Sequence, residues 1–233
     1  MKQTTAIVLA AGQGKRMNSD TQKQYLLLDG RPLIYYALKA FEESIIDSVI
    51  LVVGAGEVEY CQKEIVDRFG FRKTTAIVEG GRERYHSVYE GLKAAGPCEI
   101  VLIHDGARPL VDGQMIQDAV EGARQYEACV LAMPVKETIK AADDEEYAAE
   151  TLDRSRLWGI QTPQAFTWDL ILGAYRKLFE HPELQKGITD DAMVVETMTD
   201  HCVKLIRGSY SNIKVTTPED MAIARVLLEN RCC

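Results

Sequence analysis

Residues 4–17 read TTAIVLAAGQGKRM, and they set the fold. The run Ala6-Ile7-Val8-Leu9 has the continuous apolar character of a parallel strand buried on both faces. Two alanines and two glycines follow, Ala10, Ala11, Gly12 and Gly14, then Lys15 and Arg16, with Lys23 a few residues on. Small residues let backbone N–H groups approach an anion closely, and the cations neutralise its charge. The pattern predicts a strand ending in a loop that holds a nucleoside triphosphate. It is not a P-loop, because Arg16 stands after Gly14-Lys15 where Ser or Thr is required. It is not the dinucleotide fingerprint either, because Met17 occupies the place of the third Gly or Ala. A tight turn would explain the glycines alone, but not three cations beside them.

Outward from this loop, apolar strands alternate with amphipathic helices. Further strands are predicted at 48–53, 74–78, 100–103, 128–133 and 203–206. Helices are predicted at 58–69, 87–95, 111–126 and 168–179, with another entered at Pro32 and a last one opened by Thr217-Pro218-Glu219-Asp220. Segment 157–166 returns to the core, and Asn212-Ile213-Lys214-Val215-Thr216 reads as a further strand with Lys214 its one charge. Strand–helix alternation implies right-handed crossovers and an α/β fold: a mostly parallel sheet with helices on both faces. Ligands of such sheets bind beyond the carboxyl ends of the strands. The loops after the first, third and fourth strands carry the glycines and charges, including Gly80-Gly81 and Asp105-Gly106.

A chain of 233 residues with 46 % hydrophobic content suits one large domain, residues 1–233. Residues 134–158 break the pattern: they are polar and carry Asp143-Asp144-Glu145-Glu146. They read as an extended hairpin, an arm over 135–157 with too little apolar surface to stand alone, which a second copy of the chain would support. A surface excursion on a monomer is the alternative. A net charge of −8 disfavours non-specific nucleic-acid and anionic-membrane binding, so the cations near the first loop suit a small anionic ligand. No apolar run is long enough to span a bilayer, no signal peptide is expected, and six cysteines without metal spacing fit a reducing cytoplasm.

The chemistry these residues suit is nucleotidyl transfer, in which an α-phosphorus is attacked and pyrophosphate leaves. Positioning and charge neutralisation are the main needs. Arg16 and Lys23 are candidates to hold the triphosphate, and Lys214 to reach the α-phosphate from the other side. Asp105 is either a Mg2+ ligand or a cap on the next turn. His104, on the opposite side of its strand, reads as a packed histidine. Thr189-Asp190-Asp191 reads as a helix start with Thr189 capping, more simply than as a metal site. Gly80, Gly81 and Ser87 either face a base or form a turn.

Taken in order, several motifs resemble the 2-C-methyl-D-erythritol 4-phosphate cytidylyltransferase family. They are Ala10-Ala11-Gly12-x-Gly14-x-Arg16-Met17, Lys23-Gln24, Gly80-Gly81-x-x-Arg84, His104-Asp105-x-Ala107-Arg108-Pro109, Gln161-Thr162-Pro163-Gln164-x-Phe166, Thr189-Asp190-Asp191 and Asn212-Ile213-Lys214-x-Thr216. The resemblance implies a Rossmann-like nucleotidyltransferase fold and a homodimer whose arms cross. It implies that CMP passes from CTP to methylerythritol phosphate, with Mg2+. It makes Arg16, Lys23 and Lys214 the transition-state cations and places Ala10, Ala11, Gly12 and Gly14 around CTP. Gly81 and Ser87 would lie near the cytosine, and Asp105 and Gly106 near ribose and metal. Arg108, Thr138, Arg154 and Thr162 would surround the acceptor, with Thr138 and Arg154 coming from the partner's arm. Ser211 and Arg82 stand where some relatives carry acids. Ribitol-5-phosphate cytidylyltransferase is the nearest rival, although Leu152-Asp153-Arg154-x-x-Leu157-Trp158 fits it less well. A non-catalytic nucleotide-binding module would not need Arg16, Lys23, Asp105 and Lys214 together.

Overall fold

A computed structural model describes residues 3–12 and 22–231. Gly14, Lys15, Arg16 and Met17 of the first loop lie outside the described residues. The chain begins with β1 (Thr4–Ala10), a short hairpin of β2 (Leu27–Leu28) and β3 (Arg31–Pro32), α1 (Leu33–Glu42) and β4 (Ser48–Val53). Next come α2 (Val58–Cys61), which runs on through a π-helical turn at Gln62–Asp67, then β5 (Thr74–Glu79), α3 (Arg84–Ala95), β6 (Ile100–Asp105) and α4 (Gly113–Tyr126). Strand β7 (Ala128–Pro134) leads into the arm, β8 (Lys140–Ala142) and β9 (Ala148–Thr151), and β10 (Trp158–Thr167) returns from it. The chain closes with α5 (Trp168–Glu180), α6 (Asp191–Met198), β11 (Lys204–Arg207) and α7 (Pro218–Glu229).

Seven strands form one sheet in the order β11-β7-β10-β6-β1-β4-β5. All neighbours are parallel except β10, which runs antiparallel to both β6 and β7. The reversal follows from the connection: β7 and β10 are joined by the arm, with no crossover helix to carry the chain back. The register of β10 against β7 shifts between Ile160 and Gln164. Pro163 lies in that interval, and a residue without an N–H is tolerated in a strand at such an irregularity.

The α/β expectation is met by strands whose alternate residues feed two cores. On β1, Ala6, Val8 and Ala10 pack with α1 and α4, while Ile7 packs with α3 and α5. On β6, Ile100 and Leu102 join the first layer, and Val101 and Ile103 the second. Each Val, Leu or Ile among them contributes about 1.5–3 kcal/mol of burial free energy. The alternation continues past the apolar residues. His104 turns towards α1, its ring 5.3 Å from that of Phe41, and Asp105 turns towards α3, where it meets Arg84. A third, smaller cluster of Leu28, Leu33, Ala107, Val215 and Ala224 seats α7 against the loop that carries Lys214.

Four local expectations are corrected. Helix α3 begins at Arg84, before Ser87, after an extended Glu83. Asp190, not Thr189, caps α6: its carboxylate accepts the Met193 N–H at 2.9 Å. Residues 212–216 are an anchored loop, not a strand. Their polar groups are held by scattered partners, with Asn212 Nδ2 donating to the Thr162 carbonyl and the Val215 N–H to the Ala107 carbonyl. In the arm the acidic run does form the turn, but pairing begins only at Lys140.

Candidate active site

The carboxyl ends of β1, β4, β5 and β6 open onto a cleft of about 1040 Å³. Ala10, Ala11 and Gly12 line it from β1, Gly54 and Ala55 from β4, and Gly80 and Gly81 from β5; Ser87, Asp105, Lys23 and Lys214 complete the walls. Gly80 is needed for the loops to close: a Cβ there would stand 2.6 Å from both Ala11 Cβ and Ser87 Oγ. The Gly81 N–H donates to Ser87 Oγ at 3.2 Å. Gln24, which is buried, donates from Nε2 to the Ala10 carbonyl at 2.6 Å and so ties the Lys23 turn to the end of β1.

A second cavity, about 270 Å³, lies alongside and is lined by Arg108, Gln161, Thr162, Gln164 and Asp190. Three residues line both cavities: Arg84, Asp105 and Lys214. Lys214 Nζ is 2.8 Å from Asp105 Oδ2, and Arg84 Nε is 3.3 Å from Asp105 Oδ1. Burial alone would raise the Asp105 pKa, but the Arg84 and Lys214 charges outweigh it and hold the carboxyl well below the usual range. Burial would lower Arg84, whereas Asp191 and Asp105 keep it well above its ordinary value.

On the opposite face of β6 from Asp105, burial pushes His104 down to about 4, so the ring is neutral at pH 7. Its Nε2 lies 3.2 Å from the Arg108 carbonyl and its Nδ1 3.1 Å from Thr162 Oγ1. Thr162 Oγ1 in turn accepts the Asp105 N–H at 3.0 Å. A ring that donates from Nε2 therefore accepts the Thr162 proton at Nδ1, and the chain of bonds fixes the Asp105 backbone.

Of the residues expected from the sequence, the fold gathers Ala10, Ala11, Gly12, Lys23, Gly81, Ser87, Asp105 and Lys214 at the large cleft, and Arg108 and Thr162 at the small cavity. Gly106 lines neither. A Cβ there would lie 2.9 Å from the Leu9 carbonyl and closer still to Ile34, so its missing side chain serves the contact between β6 and β1. Thr138 and Arg154 are exposed on the arm and line neither cavity; Arg154 Nη1 donates to the Lys136 carbonyl at 2.9 Å. Gly14 and Arg16 lie outside the described residues. The sequence motifs assign Arg84 no role, and they place its buried partner Asp191 only in a helix start. An arginine just after a glycine loop at a strand end was the available signal.

Among the described residues, no group of three or more His, Cys, Asp or Glu is placed to hold a metal ion. The Asp105 carboxylate, which lines both cavities, is a hard oxygen donor of the kind that suits Mg2+.

The family model described as IspD: 2-C-methyl-D-erythritol 4-phosphate cytidylyltransferase matches residues 4–230. The chain belongs to this family. As a cytidylyltransferase it is 49 % identical over 99 % of its length to the 2-C-methyl-D-erythritol 4-phosphate cytidylyltransferase of Alkaliphilus oremlandii, covering 97 % of that protein. It is 51 % identical over 97 % of its length to the Lachnospira eligens protein of the same name, covering 99 % of it. It also superposes on the crystal structure of 4-diphosphocytidyl-2C-methyl-D-erythritol synthase from Anaerococcus prevotii, with TM-score 0.83 and 34 % identity, covering 98 % of this chain and 99 % of that one. The Rossmann-like nucleotidyltransferase fold expected of the cytidylyltransferase is thus the fold observed. Among the described residues, no helix is long and apolar enough to cross a membrane.

Proposed function

We propose that the large cleft holds CTP, that the small cavity holds 2-C-methyl-D-erythritol 4-phosphate, and that the two meet at Arg84, Asp105 and Lys214. The observation that carries this assignment is that these three residues wall both cavities. An acceptor phosphate oxygen attacks the α-phosphorus from the small cavity. The new P–O bond forms as the bond to the β-phosphate bridging oxygen breaks, and pyrophosphate leaves with that electron pair. The products are 4-diphosphocytidyl-2-C-methyl-D-erythritol and pyrophosphate.

In this assignment Arg16, Lys23 and Lys214 offset charge that builds up on the phosphates, a task that needs positioned cations and no protein nucleophile. Ala10, Ala11, Gly12 and Gly14 offer close backbone approach, Gly81 and Ser87 face the base, and Arg108 and Thr162 face the acceptor. Asp105 would hold Mg2+, which when bound neutralises phosphate charge. Residues 1–233 act as one domain and 135–157 as its dimerisation arm. Thr138 and Arg154 reach the acceptor of the partner's site, so the working unit is a homodimer with exchanged arms. The exposure of every β9 residue supports an arm made to be covered. The chain's bacterial relatives and its six cysteines without metal spacing support a cytoplasmic location.

The test is pyrophosphate release with CTP and Mg2+, comparing methylerythritol 4-phosphate with ribitol 5-phosphate. Turnover with the first is expected. Turnover with the second alone would overturn the acceptor assignment.

A further inference from the structure

A buried ion pair stands behind the seam. Asp191, fully buried at the start of α6, takes Arg84 in a two-pronged pair: Nη1 donates to Oδ1 at 2.9 Å and Nη2 to Oδ2 at 2.7 Å. Tyr175 of α5 donates its hydroxyl to Asp191 Oδ1 at 2.6 Å. Gln164 of β10 accepts the Asp191 and Ala192 N–H groups at 3.0 and 2.9 Å through Oε1, and donates to Asp190 Oδ2 at 3.0 Å. Groups from α5, α6 and β10 thus fix one guanidinium on α3. Lys214 differs: it is 39 % exposed and holds Asp105 through a single ammonium on a flexible stem.

We propose that Asp191 locks Arg84 as the permanent counter-charge of Asp105, so that Lys214 is released to the phosphates when CTP binds. The proposal rests on the placement of CTP at the seam. Asp191 lines neither cavity and is a positioning residue acting through Arg84. An arginine fork can serve Asp191 with its two terminal nitrogens while Nε serves Asp105, which a lysine cannot do. With Arg84 loosened, Asp105 keeps Lys214 and the phosphates lose it.

The test compares Asp191→Asn, Arg84→Lys and Tyr175→Phe with wild type. It reads kcat and KM from pyrophosphate release, and Mg2+-free CTP affinity from calorimetry. Asp191→Asn removes a negative charge, so a simple field effect would tighten CTP binding. The lock instead predicts about 10- to 100-fold lower kcat and about 3- to 10-fold weaker CTP binding, with Arg84→Lys moving the same way and Tyr175→Phe by about 3-fold. If Asp191→Asn does not fold, the other two variants decide. Wild-type kcat and CTP affinity in Arg84→Lys and Tyr175→Phe, or tighter CTP binding in Asp191→Asn, would overturn the lock. A wild-type enzyme that binds CTP but releases no pyrophosphate would instead refute the placement of the reaction, and the calorimetry would still decide the lock.

Discussion

Replacing Lys214 by alanine should separate stability from turnover. Its ammonium is 2.8 Å from Asp105 Oδ2, and its side chain is 39 % exposed. With the lysine end that open to water, such a pair nets about 1 kcal/mol after screening. Asp105 keeps Arg84 at 3.3 Å, so no buried charge is left alone. A loss of about 1 kcal/mol lowers Tm by about 2–4 °C in a domain of this size. Turnover has a different scale: one preorganised charge at a reacting phosphate is worth about 10²- to 10³-fold in kcat, roughly 2.7–4 kcal/mol. Lys214→Ala should therefore melt almost like wild type while its pyrophosphate release with CTP, Mg2+ and acceptor falls at least about 100-fold. A kcat within about 5-fold of wild type would refute the placement of Lys214 at the reacting phosphate. A Tm lower by about 10 °C or more would refute the screening argument.

Three further outcomes are expected. His104 has a folded pKa of about 4, below its ordinary 6.5, so its stabilising contribution is complete above 6.5 and is lost as pH falls towards 4. Between pH 7 and 4.5 the loss is about 2.4 kcal/mol; urea unfolding at these two pH values should show it in wild type and less of it in His104→Gln, and equal pH slopes would refute the assignment. Gly106→Ala should cost about 1–3 kcal/mol by thermal unfolding, because the new methyl meets the fixed Leu9 carbonyl; an unchanged Tm would show that β1 and β6 can separate there. Mixed dimers of Lys23→Ala and Arg154→Ala chains should regain activity in one site where each parent is impaired, and no recovery would exclude a site completed by the partner's arm.

The sheet was legible because buried parallel strands are continuous apolar runs, and β1, β4, β6 and β7 all read so. The direction of β10 was not, since the composition of a strand does not record which way it runs between its neighbours. The side of the sheet taken by His104 and Asp105 was legible from strand alternation alone. Arg84 and Asp191 were harder. A guanidinium in a loop and an acid in a first helical turn both have ordinary surface roles, and only tertiary folding brings residues so far apart in sequence together. Gly106 shows a related limit: a glycine beside a functional carboxylate can serve a ligand or a neighbouring strand, and the sequence does not reveal its close approach to Leu9 and Ile34.

The position of β10 also bears on how the chain is made. The half-sheet β6-β1-β4-β5 pairs entirely within itself and is complete once Asp105 has been synthesised. Strand β7 emerges next with no partner, since one of its edges waits for β10 and the other for β11. Until β10 is delivered, the growing chain carries the open edge of β6 and both edges of β7, and unpaired edges are templates for association between chains. A fragment ending at Tyr126 keeps its half-sheet with one open inner edge, whereas one ending at Pro134 adds an apolar strand with nothing beside it. The arm, synthesised in that interval, sets how long the nascent protein must wait for the strand that joins its two halves.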